Sequence, residues 1–122
     1  FSYLGKKKEY QIARIEQIEQ IRRTEYSLYL DVLQQMINES NRDNFLLLQK
    51  STNRLLLFAG PELSTIINEY YNTIINNANA GKPTLNHEHI SYLTKIVNAM
   101  RSELGVSTIE LDQVRFIGAP LQ

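Results

Sequence analysis

The sequence predicts an all-α fold: an antiparallel helical bundle with a long, partly projecting N-terminal helix. Three observations carry that prediction. Apolar residues recur at steps of three and four in several separate segments, the period of a helix with one buried face. The stretch from about Lys6 to about Glu39 contains no Gly or Pro, the residues that most often break regular structure. The continuous apolar runs are short and Leu-rich, and no second convincing strand exists for them to pair with.

The chain has 122 residues, which suits one domain with one core. Hydrophobic residues make up 43% and charged residues 21%. That balance fits a globular chain and argues against disorder. The formal net charge is +0, whereas non-specific nucleic-acid binders carry a basic excess. There is no Cys, which removes disulfides, thiolate metal sites and cysteine nucleophiles together.

Residues 6–39 read as one helix. Ile12, Ile15, Ile18, Tyr26, Tyr29, Leu33 and Met36 fall near helical spacing, with Glu16, Gln17, Glu19 and Gln20 on the other face. Such a helix spans roughly 50 Å at 1.5 Å per residue. That is more than a domain of this size needs, so the N-terminal half is expected to project as a stalk or a coiled coil. Arg22 stands where a heptad would place an apolar residue. Polar residues at such positions can set register or oligomeric state and so mark a partner-binding position. The plainer reading is a surface charge where the helix has left the core.

Residues 39–44 form a polar break rich in N-cap types. Residues 42–58 are read as a helix. For residues 54–59 periodicity alone does not separate helix from strand, but Leu favours helix. Gly60-Pro61-Glu62 is the clearest boundary, because Pro suits the first helical position and an acid suits the first turn. The helix it opens, residues 61–78, carries Leu63, Ile66, Ile67, Tyr70, Ile74 and Ile75 on one face. Residues 86–104 form the last long helix, with Asn86 as its cap and Gly105 as its terminator. Ile90, Leu93, Val97, Met100 and Leu104 form a heptad seam on it. Ser107 and Glu110 have capping-box spacing, so residues 107–122 read as a short helix and tail.

Motifs for chemistry are weak. His87-Glu88-His89 invites a metal, but the helical zinc motif needs its two His four residues apart. A third ligand is not evident, so a polar helix start is the better reading and no cofactor is expected. Gly81-Lys82-Pro83-Thr84 lacks the glycine spacing and the Lys-Ser/Thr pair of a phosphate loop. Glu9, Glu16, Glu19 and Glu25 are interleaved with Gln, Arg and Lys, the pattern of a solvated helix face rather than an acid–base site. No nucleophile elbow appears.

Aromatic and apolar residues at positions 1–5 precede Lys6, Lys7 and Lys8. This is how the cytoplasmic flank of a membrane helix looks, and equally how a frayed, solvated start looks. Residues 1–8 are therefore a candidate juxtamembrane segment.

Two short motifs carry a resemblance. The first is Leu55-Leu56-Leu57-Phe58-Ala59-Gly60-Pro61-Glu62-Leu63, and the second is Ala99-Met100-Arg101-Ser102-Glu103-Leu104-Gly105. Through them the chain resembles a group of uncharacterised bacterial proteins over residues 1 to about 105. In that group an N-terminal membrane helix leads into a basic, helical cytoplasmic region. The resemblance implies an architecture and a place at the inner membrane, with no activity attached. Arg101 follows Met100 on the seam. It is either a bidentate partner-binding Arg or an Arg that pairs within its own bundle and covers apolar surface with its stem.

The leading functional expectation is a non-enzymatic interaction or scaffold domain, self-associating through the first helix and held at a membrane. The alternatives are a nucleic-acid or nucleotide-binding helical module and a metal-assisted enzyme using His87 and His89.

Overall fold

The computed structural model describes residues 3–106, with side chains from residue 5 onward. The short helix and tail expected for residues 107–122 lie outside the described residues. Four helices follow in order: α1 (Tyr3–Asn38), α2 (Arg42–Leu55), α3 (Pro61–Asn79) and α4 (Asn86–Glu103). There is no strand among the described residues. The fold is the expected all-α antiparallel bundle with a long, partly projecting first helix. Short connections force consecutive helices to run antiparallel. Thus α1 packs on α2, α2 on α3 and α3 on α4.

The C-terminal half of α1 supplies one wall of the core through Tyr26, Tyr29, Leu33 and Met36, all almost fully buried. Leu48 and Leu55 of α2, Leu63, Ile67, Tyr70 and Ile74 of α3, and Leu93, Ile96 and Met100 of α4 complete it. Each such side chain contributes roughly 1.5–3 kcal/mol when withdrawn from water. The core, rather than helix propensity, therefore holds α2, α3 and α4 in place.

Local chemistry sets the helix ends. The Asn44 backbone N–H donates to the Asn41 side chain at 2.8 Å, capping α2 as residues 39–44 suggest. Helix α2 ends at Leu55, three residues short of the expected 58. The Leu57 and Phe58 N–H groups instead reach the Arg54 and Leu55 carbonyls, tightening the chain into a turn. Downstream, Pro61 keeps Gly60 extended, at ψ 174°, so no helix can run on into α3. Residues 54–59 are thus a helix end and a turn.

Helices α3 and α4 both terminate on a left-handed glycine, Gly81 and Gly105, each at φ +70°. Lys82 N–H then bonds the Asn77 carbonyl and Val106 N–H the Arg101 carbonyl, closing a Schellman-type end in each case.

Two expectations for α4 need correction. The cap is Leu85, with Asn86 already inside the helix. Glu88 reaches back to accept the Leu85 N–H at 3.2 Å. The buried seam is His89, Leu93, Ile96 and Met100, joined by Ala99. Ile90, Val97 and Leu104 are only half-buried. The inward face is thus turned by about one residue from the expected seam, because α4 packs mainly on α3 and must meet Tyr70 and Ile74 there.

Candidate functional site

Two regions gather the sequence-derived candidates, one at each end of the bundle. At the end where α1 leaves the core, a ring of polar contacts ties the helices together. The Glu103 carboxylate, at the last residue of α4, accepts the Gly60 backbone N–H at 2.8 Å through Oε1 and the Tyr26 hydroxyl through Oε2. It thereby joins α4 to α1 and to the α2–α3 connection. Burial, and then the hydrogen bond to Glu103, push the Tyr26 hydroxyl far above its usual range, so the phenol stays protonated and donates. A side chain at Gly60 would meet Glu103 Oε1, so the carboxylate would have to move aside.

Arg22 lies in the same ring. Its Nε donates to the Phe58 carbonyl at 2.9 Å, in the turn that follows α2. Arg54 holds the buried Glu25 carboxylate at 2.7 Å. Arg101 is half-buried beside a groove of about 210 Å³ between α1 and α4, lined by Leu30, Val97, Met100 and Leu104. The structure thus brings Arg22 and Arg101 to one end of the bundle.

Beyond this ring α1 continues with nothing packed on it among the described residues. Ile12 is 51% exposed, Ile15 57% and Ile18 43%. Their helical phase continues the face that, further along, is buried as Tyr26, Tyr29, Leu33 and Met36. Ile21 and Tyr10 are exposed as well. Lys6, Lys7 and Lys8 are exposed in the first turns of the helix. Scattered exposed apolar residues are ordinary on a protein surface. A row that extends a core-forming face past the end of the core is not ordinary.

At the opposite end His89 is buried, while His87 is exposed. The two rings do not converge. No group of three or more His, Asp or Glu side chains suited to a metal occurs among the described residues. His89 Nδ1 lies 2.5 Å from the Tyr70 hydroxyl. Desolvation lowers the His89 pKa, and burial raises that of Tyr70. Both shifts favour a neutral imidazole whose Nδ1 accepts a hydrogen bond from a protonated phenol. Tyr70 also stacks on Tyr92 at 4.9 Å.

A cavity of about 370 Å³ adjoins His89, walled by Met36, Ile37, Phe45, Ile74 and Leu85. Ser40, Lys82, Thr84 and Asn86 also line it, with no carboxylate among the lining residues, and the Tyr70 hydroxyl holds His89 Nδ1.

Sequence reasoning missed the contacts of Glu103, of Gly60 and of Glu25, which it placed on a solvated face although the residue is buried, and the Tyr70–His89 pair. The first three join positions far apart in the chain, and no local pattern marks them. A signal for His89 did exist: it lies four residues before Leu93, in phase with Ile96 and Met100. No helix among the described residues is long and apolar enough to cross a membrane. No known protein family, curated protein or solved structure matches the chain.

Proposed function

We propose that this protein is a non-enzymatic interaction domain that self-associates by laying the projecting half of α1 against the same segment of a second copy. One observation carries the reading: the core-forming face of α1 runs on, uncovered, as Ile12, Ile15 and Ile18. Helices draw most of their stability from packing such a face rather than from propensity. A second amphipathic helix is the surface that complements it. The polar ring around Glu103 supports the same view, because it anchors the base of α1 and so fixes the direction in which the free half points.

The paired substitution Ile15→Asp with Ile18→Asp tests the proposal. Both residues are exposed, so the bundle should keep its circular dichroism spectrum and melting temperature. The parent chain should form dimers in sedimentation velocity at tens of micromolar, and the variant should remain a monomer. A parent that stays monomeric to several hundred micromolar refutes the reading.

Attachment to an anionic membrane surface is a second reading, favoured by the exposure of Lys6, Lys7 and Lys8 in the first turns of α1. Three charges fall short of the roughly four to eight of a lipid-binding cluster, so attachment would need a further anchor. Co-sedimentation with phosphatidylserine vesicles tests it. The parent should bind more tightly than a Lys6→Gln, Lys7→Gln, Lys8→Gln variant, and equal binding sinks the idea.

A further inference from the structure

We infer that the two copies pair antiparallel, in one register set by ion pairs between Lys8 of each copy and Glu19 of the other. The inference rests on the self-association reading and adds orientation, register and salt sensitivity to it.

Lys8, Ile12, Ile15 and Glu19 follow one another at steps of four, three and four. At 3.6 residues per turn these side chains form one stripe along α1. Lys8, Ile12 and Ile15 are exposed and Glu19 is half-buried, with its carboxylate 4.0 Å from Arg23 at the outer limit of an ion pair. The stripe is basic at one end, apolar in the middle and acidic at the other.

Two parallel copies would set Lys8 against Lys8 and Glu19 against Glu19, like charges at both ends of the isoleucine contact. Two antiparallel copies set Ile12 of each against Ile15 of the other. The same register brings Lys8 of each opposite Glu19 of the other. A shift of one turn toward Ile18 keeps an isoleucine layer but sets Lys8 of each copy opposite Arg22 of the other, and a shift of one turn the other way sets Ile15 against Glu9. Orientation is thus specified as much by the repulsion in the wrong pairing as by attraction in the right one. The flanking Lys6 and Lys7 act in the same direction. They would repel across a parallel pair, and face the uncharged Ile21 and Gln20 in the antiparallel one. The paired surface is short and its ion pairs are reached by solvent, so the dimer weakens as salt screens them.

The test uses the full chain with Lys8→Glu, with Glu19→Lys, and with both together. Each single variant turns both ion pairs of the antiparallel dimer into repulsions, so dimerisation measured by sedimentation should weaken about tenfold or more at low salt. The combined variant restores opposite charges at both sites and should return to the parent affinity. An equimolar mixture of the two single variants should also dimerise like the parent.

Single variants that dimerise as well as the parent overturn the antiparallel register and leave self-association standing, since parallel pairing only exchanges one like pair for another. A parent chain that is monomeric at every concentration overturns both readings.

Discussion

Replacing Glu103 is the most informative single perturbation of this fold. Glu103 is an acid at the C-terminal end of α4, where the helix dipole makes it unfavourable by about 0.3–1 kcal/mol. Against that stand two charge-assisted hydrogen bonds, from Gly60 N–H and from the Tyr26 hydroxyl, each worth about 1.5–3 kcal/mol when sheltered from water. The carboxylate is half-buried, so the lower part of that range applies. Glu103→Ala is therefore expected to cost about 2–3 kcal/mol net, a fall in melting temperature of roughly 10–15 °C for a domain of this size. Tyr26→Phe removes one of the two bonds and should cost about 1–1.5 kcal/mol.

The decisive quantity is the coupling between them, measured by urea denaturation of both single variants and the double. If the Tyr26–Glu103 bond joins α1 to α4 as described, the coupling energy is about 1–2 kcal/mol. Gly60→Ala provides an independent check. In the parent the new Cβ collides with Glu103 Oε1, so the carboxylate must swing away and most of the Glu103 contribution is lost. In a Glu103→Ala background the same change should be nearly neutral, because Gly60 has an ordinary φ of −71°. A Tyr26–Glu103 coupling below about 0.3 kcal/mol, within the error of additivity, would refute the reasoning. So would a Gly60→Ala cost that is the same in both backgrounds.

Two other outcomes follow from buried polar groups. Desolvation lowers the His89 pKa below its ordinary 6.5. As pH falls below that value the unfolded chain takes up a proton that the folded chain refuses, so stability declines and levels off once the folded form also protonates. Chemical denaturation between pH 7.5 and 5 should show this decline, and His89→Gln should lessen it. Thr52 Oγ1 is buried with no hydrogen-bond partner, so Thr52→Val, which keeps the shape and removes the orphaned hydroxyl, should raise stability by about 1 kcal/mol. Thermal melts that show a loss would mean that the hydroxyl is satisfied.

The elements were largely legible in the sequence because their causes are local. Ile and Leu at three- and four-residue steps, Asn41 before α2, Pro61 at the start of α3 and Gly105 after α4 each act within one or two turns of the backbone. The run 54–59 was ambiguous for an equally local reason: a short continuous apolar stretch has no period to read. The turn over residues 56–58 shows only in the folded chain.

The facing of the helices was not legible. The α4 seam of Ile90, Val97 and Leu104 is a sound helical stripe, yet the core selected the neighbouring stripe through His89 and Ile96 because Tyr70 and Ile74 of α3 lie opposite it. Likewise Ile12, Ile15 and Ile18 share the pattern of Tyr29, Leu33 and Met36, and nothing in that pattern reveals that the bundle stops short of them.

The sequence by itself determined that this protein is helical, where its helices lie apart from the end of α2 and the cap of α4, and which faces they offer for burial, since these depend on dihedral preference, capping and periodicity along the chain. Only the tertiary structure decided which of the offered faces is covered, that His89 is bound to Tyr70, and that Glu103 gathers Gly60 and Tyr26. Those outcomes depend on which residues, distant in the chain, come within a few ångströms of one another in space.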